Sequence, residues 1–205
     1  MRTAFYGGTF DPVHNTHLAT AREILKHGAA DQILFVPAAV LPHVYKSGAD
    51  VTPFADRMMM VRLAVAGEPG FLCSDIESRR PGKSYTLDTL RELRAENRYG
   101  ELLLFMGTDT LAKLATWNRV HDLVKEFGLI IYPRPDTPAD SIDLSKDWNA
   151  EEIRKIRTSI LPDMPQFPLS STQIREKIKK DGIKSVSEFV KKDVADYITA
   201  HHLYV

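Results

Sequence analysis

Five short apolar runs, each leading into a helical pattern, constrain the fold of this chain more than any other feature. The runs are Thr3–Tyr6, Gln32–Val36, Phe71–Ser74, Glu101–Met106 and Gly128–Tyr132. Each is too short for a helix and is followed by turn residues, so strands separated by helices are predicted. That alternation builds a parallel sheet with helices against its faces. The helices carry their own punctuation. Asn15 to His27 is stopped by Gly28. Thr52-Pro53 reads as an N-cap with proline at the first helical position, with Phe54, Met58, Val61 and Val65 on one face behind it. Met58, Met59 and Met60 read as a core stripe. Ser84 reads as the cap of a helix bearing Leu87, Leu90 and Leu93. Prolines 133, 135 and 138 mark a loop, and residues 140–148 look weakly ordered. The tail is helical, with Ile174 and Ile178 on one segment and Val190, Val194, Tyr197 and Ile198 on another.

A chain of 205 residues, 43% of them hydrophobic, suits one soluble globular domain. Lysine plus arginine equals aspartate plus glutamate, 27 each, so there is no basic excess to attract nucleic acid or an acidic membrane. The single cysteine, Cys73, cannot form an internal disulfide and reads as a small core residue, which points to a reducing compartment. No stretch approaches the roughly 20 apolar residues of a membrane span. Gly7, Gly8 and Asp11 interrupt any signal-peptide core. A cytoplasmic protein that binds small molecules is expected.

In an open parallel sheet, ligands bind beyond the carboxyl ends of the strands. Polar residues cluster on that rim. Gly7–His17 (GGTFDPVHNTH) follows the first strand, and Pro42-His43 with Lys46 follows the second. Ser84-Tyr85-Thr86 lies downstream of the third, Gly107-Thr108-Asp109 follows the fourth, and Arg134 follows the fifth. Gly7 and Gly8 let backbone N–H groups approach a ligand, and a helix opening near Asn15 offers unpaired N–H donors to an anion. His14 and His17, three apart, fall on one face there. Asp11 either orients His17 or a metal, or stabilises the turn. Ser170, Ser171 and Thr172 stand at another helix start beside Arg175, as caps or as a second anion site. Gly82-Lys83-Ser84 is not a Walker A loop, because Glu77 stands where that motif needs glycine. His27, His121, His201 and His202 read as capping or solvent-facing, and Trp148 as having no role.

His14-Asn15-Thr16-His17 resembles the H-x-G-H signature of the nucleotidyltransferase superfamily, with Thr16 at the glycine position. A threonine there adds a Cβ and a hydroxyl beside the expected phosphate path. Leu169–Arg175 (LSSTQIR) resembles the I-S-S-T-x-I-R motif of the same superfamily. Ser84–Leu90 (SYTLDTL), Gly107-Thr108-Asp109 and Trp117 resemble landmarks of bacterial nicotinate-mononucleotide adenylyltransferases, and the likeness runs from Arg2 almost to Tyr204. It implies an α/β fold, a Rossmann-like doubly wound parallel sheet with a small C-terminal helical cap. One domain, 1–205, would divide into a core of about 1–135 and a helical part of about 150–205.

The resemblance also implies the reaction of ATP with nicotinate mononucleotide, giving deamido-NAD and pyrophosphate, with Mg²⁺ bridging phosphate oxygens and no protein metal site. His14, His17 and Arg175 would be catalytic. Gly7, Gly8, Thr9, Phe10, His43, Lys46, Gly107, Asp109, Ser171 and Thr172 would bind ATP. Ser84, Tyr85, Thr86, Trp117 and Arg134 would bind nicotinate mononucleotide, the indole stacking on the pyridine ring. The alternatives are an adenylyltransferase for nicotinamide mononucleotide or phosphopantetheine, and a non-catalytic nucleotide-binding sensor.

Overall fold

The computed structural model describes residues 1–40, 51–167 and 169–205. Five strands form one all-parallel sheet: β1 (Arg2–Gly8), β2 (Gln32–Pro37), β3 (Phe71–Cys73), β4 (Glu101–Gly107) and β5 (Gly128–Tyr132). Their order across the sheet is β3-β2-β1-β4-β5. The chain winds outward from β1 to one edge, then crosses to β4 and winds to the other. The switch point therefore lies between β1 and β4, where Tyr6 pairs with Phe105. Thr3, Ala4, Phe5 and Tyr6 of the central strand are buried from both sides, which is why that run reads as continuous rather than alternating.

Helices α1 (Asn15–Lys26), α2 (Phe54–Val65), α7 (Ser171–Asp181) and α8 (Lys192–Ala200) share one buried cluster, on one face of the sheet. Helices α3 (Thr86–Ala95), α5 (Val120–Glu126) and α6 (Ala150–Thr158) share the cluster on the other. A short helix α4 (Thr108–Leu111) begins directly at the end of β4. The C-terminal helices thus divide between the two faces. After α6 the chain runs beside β5, where Leu161 N–H donates to Ile131 O at 2.9 Å.

Several local expectations shift. Helix α2 starts at Phe54 with Pro53 in the cap position, and α3 starts at Thr86 with Tyr85 in the cap position, so Ser84 is not the cap. Met58 and Met60 are buried, whereas Met59 faces outward. The 140–148 segment is anchored: Leu144 and Trp148 are buried, and the Trp148 ring meets His121 edge-on. Apolar anchors spaced four apart hold a segment whose polar neighbours suggest a loose loop. Among the described residues, no helix is long and apolar enough to cross a membrane.

Candidate active site

A cleft of about 760 Å³ opens at the switch point. It gathers side chains from four of the five sequence loops. The fifth, carrying His43 and Lys46, lies outside the described residues. Gly7, Gly8, Thr9, Phe10 and His17 form one wall. Gly107, Asp109, Trp117 and Arg134 form the opposite one, and Ser84, Tyr85 and Thr86 close an end.

The loop between β1 and α1 is held by its carbonyls. Gly8 O accepts from Ala38 N–H at 2.8 Å, and Thr9 O from Arg57 Nη1 at 2.8 Å. Asp11 O accepts from Arg175 Nη1 at 2.7 Å, and Pro12 O from the Ser171 hydroxyl at 2.9 Å. These acceptors are occupied before any ligand arrives. An anion entering the loop meets its donors without competition from them. Phe10 sits at φ 50, a left-handed conformation uncommon for a non-glycine residue, and its ring packs edge-on to both Tyr6 and His17. Gly8 leaves room for that ring, since a Cβ there would come within 3.0 Å of it.

His14 and His17 do not stand side by side. His14 is the extended N-cap of α1, and its ring lies 3.8 Å from that of His17, almost fully buried. His17, half-buried, lines the cleft; its Nδ1 accepts from His14 N–H at 3.2 Å. The neutral ring of His17 then carries its proton on Nε2, the atom left to donate to a ligand. His14 Nδ1 is buried with no hydrogen-bond partner among the described residues. Burial, with the Arg134 charge adding to it, pushes His14 down to about 3. Burial, then His14 and Arg134, pushes His17 well below its ordinary range. Both rings are neutral at pH 7 in the free protein.

Thr16 is buried on α1 and does not line the cleft; its carbonyl accepts from the Thr20 hydroxyl at 2.8 Å. Its side chain therefore does not enter the cleft. The Asp11 carboxylate is held by other parts of the chain and has no bond to His17. Its Oδ2 accepts from Thr52 N–H at 3.3 Å and its Oδ1 from the Tyr204 hydroxyl at 2.6 Å. Arg175, Ser171 and Thr172 stand behind the loop rather than on the cleft wall: Arg175 Nη2 donates to the Thr172 hydroxyl at 3.4 Å. The cap of α7 is Ser170, in a reciprocal pair with Gln173.

On the opposite wall, Arg134 N–H donates to the Thr108 hydroxyl at 2.8 Å, and Arg134 Nε lies 3.8 Å from Asp109 Oδ1. Gly107 makes this pair possible, because a Cβ there would meet Asp109 Oδ1 at 2.3 Å. Trp117 is half-buried, its indole packed on the α3–α5 cluster while it lines the cleft. Ser84 is nearly enclosed. Its hydroxyl accepts from Val40 N–H at 3.2 Å and bonds to Glu77.

Sequence reasoning missed Glu77, Lys83 and Arg57. Glu77 and Lys83 line the cleft beside Ser84. Burial pushes the Glu77 carboxyl upward, against hydrogen bonds from Ser84, Thr89 and the Ala39 amide that favour its ionised form. Arg57 is almost fully buried and donates to Thr52 O, Thr9 O and Ala38 O, each at 2.8 Å. It joins the loops after β1 and β2. Replacing it with leucine strips a donor from three part-buried carbonyls, at about 1 kcal/mol for each hydrogen bond lost. Arg57→Leu is expected to lower Tm by about 6–12 °C in a domain of this size. A thermal melt shifted by under about 2 °C would show the three bonds to be dispensable.

Known proteins resemble the whole chain. The cytidylyltransferase-like family model matches residues 5–177. A protein of Synechococcus sp. (strain JA-3-3Ab) named "Probable nicotinate-nucleotide adenylyltransferase" is 39% identical, the match covering 100% of this chain and 95% of the relative. One of the same name from Dehalococcoides mccartyi is 34% identical, with 100% and 97% covered. Among solved structures, the Plasmodium falciparum nicotinic acid mononucleotide adenylyltransferase complexed with NaAD superimposes with a TM-score of 0.70. It covers 99% of this chain and 97% of that one at 19% identity, a likeness of fold.

Proposed function

The chain belongs to the cytidylyltransferase-like family and, within it, to the nicotinate-nucleotide adenylyltransferases, and we propose that its cleft carries out their reaction. The 5′-phosphate of nicotinate mononucleotide attacks the α-phosphorus of ATP. A new P–O bond forms, the bond to the bridging β-oxygen breaks, and pyrophosphate leaves; the product is deamido-NAD. The nucleophile is already an anion, so no base is required. The protein has to align two mutually repelling phosphates and neutralise the charge that builds up.

The observation that carries this reading is one cleft lined by the Gly7–Phe10 loop, His17, Asp109, Arg134, Trp117 and the mouth of α3. His17 Nε2–H donates to the reacting phosphate. His14, behind it, packs against the His17 ring and donates its backbone N–H to His17 Nδ1. Arg175, through Asp11 O and Thr172, and Ser171, through Pro12 O, fix from behind the loop that meets the phosphates. Asp109 accepts from the adenosine ribose, with Arg134 beside it. Trp117 stacks on the pyridine ring, and Tyr85 and Thr86 meet the nicotinate carboxylate. Among the described residues, no cluster of three His, Cys, Asp or Glu side chains could hold a metal. We take the divalent cation to be Mg²⁺, bound to the phosphates of the substrate as Mg-ATP. We place the reaction in the cytoplasm.

Mixing the protein with Mg-ATP and nicotinate mononucleotide should release pyrophosphate and form deamido-NAD in equal amounts. ATP binding without product would make this a nucleotide sensor. Product from phosphopantetheine instead would make the acceptor assignment wrong.

A further inference from the structure

Tyr204 lies far along the chain from the phosphate loop, yet its hydroxyl donates to Asp11 Oδ1 at 2.6 Å. Reaching that point requires an unusual path. After α8, His202 and Tyr204 both take left-handed conformations, φ 49 and 65, which bulky side chains rarely adopt. Backbone strain of this kind persists only where surrounding contacts impose it. The contacts are present. Leu203 and Tyr204 pack on the α1–α2–α7–α8 cluster, and the Tyr197 hydroxyl donates to Asp56 Oδ1 at 2.8 Å, holding α8 on α2.

Asp11 is 5% exposed, so its carboxylate depends on protein donors rather than water. Those donors are the Tyr204 hydroxyl and Thr52 N–H, the latter at a longer 3.3 Å. Thr52 in turn accepts from Arg57 at 2.8 Å, and the Asp11 carbonyl is the one that Arg175 holds at 2.7 Å. Tyr204 thus ties the C-terminal segment into the network of bonds around the loop that presents His14 and His17. Burial and the Asp11 charge raise the Tyr204 hydroxyl pKa, so it remains a donor throughout the physiological range.

We infer that Tyr204 is a positioning residue for ATP: acting through Asp11, it holds the Gly7–His17 loop in its phosphate-binding shape. The inference rests on that loop being the triphosphate site. It concerns affinity for ATP and leaves the acceptor's end of the cleft untouched, because the bonds of Asp11 run to Tyr204, Thr52 and Arg175 and none of them is to Ser84, Tyr85 or Trp117.

Tyr204→Phe tests it by removing one oxygen and keeping the packed ring. Calorimetric titration with Mg-ATP should show Kd weakened about tenfold, because the released loop must then be ordered on binding. The KM of the acceptor should stay within about twofold of wild type and the melting temperature within a few degrees. In an Asp11→Ala background the same substitution should add nothing, since its route of action is gone. An unchanged Kd for Mg-ATP overturns the inference. So does an effect of equal size on both substrates, or full additivity with Asp11→Ala. The Kd is read without turnover, so failure of adenylyl transfer in the wild type would sink the proposed function and leave this inference to the ATP affinity alone. Wild-type protein that does not bind Mg-ATP overturns both.

Discussion

His17→Ala should lower kcat by about 10²–10³-fold, the usual loss when a donor to a developing charge is removed. His17 alone of the two histidines lines the cleft, and its Nδ1 is occupied by His14 N–H, which fixes the donor as Nε2–H. Alanine removes that donor and also the acceptor of His14 N–H, one bond of the helix cap at about 1 kcal/mol. Folding should survive. Retention of more than about a third of the wild-type kcat would remove His17 from the mechanism. The same variant should change the response to acid. His14, pushed down to about 3, and His17, also pushed down, stay neutral when folded but bind protons when unfolded below about pH 6.5. The unfolded chain then holds more protons, so stability falls as pH drops through that window. The urea midpoint should decline from pH 7 to pH 5, less steeply in His17→Ala, because one such group is gone. A wild-type midpoint that rises toward pH 5 would contradict the neutral assignment.

The sheet was legible because its signals are local. Each apolar run between turn residues became a strand, and each rim motif therefore landed at a carboxyl end. The paired histidines were legible as a pair but not in their geometry. An i, i+3 spacing puts two residues on one helical face only if both are helical, and His14 is an extended cap at φ −146. The rings therefore stack one behind the other. Ser84 looked like a cap because serine favours that position. Its hydroxyl is instead absorbed by Val40 N–H and Glu77, partners that only the folded chain brings near. Arg57 and Tyr204 gave no sequence signal. A buried arginine is indistinguishable from a surface one until its three carbonyl partners, from separate loops, have been brought together. Hydrogen bonds between distant segments carry no periodicity and no motif.

The mouth of α3 favours an acid over an amide at the acceptor's ring. Helix α3 begins at Thr86, so the N–H groups of Thr86, Leu87 and Asp88 fall outside its own hydrogen-bond ladder. With Tyr85 and Thr86 on the cleft wall, that mouth suits a carboxylate, and Lys83 lines the same end. Glu77 stands nearby, but its oxygens already accept from Ala39 N–H and from the Ser84 and Thr89 hydroxyls. A carboxamide would forfeit the charge assistance and set its own N–H groups against those of the helix. That difference is worth roughly 1.5–3 kcal/mol, or about 10- to 150-fold in kcat/KM. The decisive measurement is steady-state kinetics with nicotinate mononucleotide and nicotinamide mononucleotide at saturating Mg-ATP. Preference for the acid by at least about tenfold is predicted; parity, or preference for the amide, would contradict the assignment of this helix mouth.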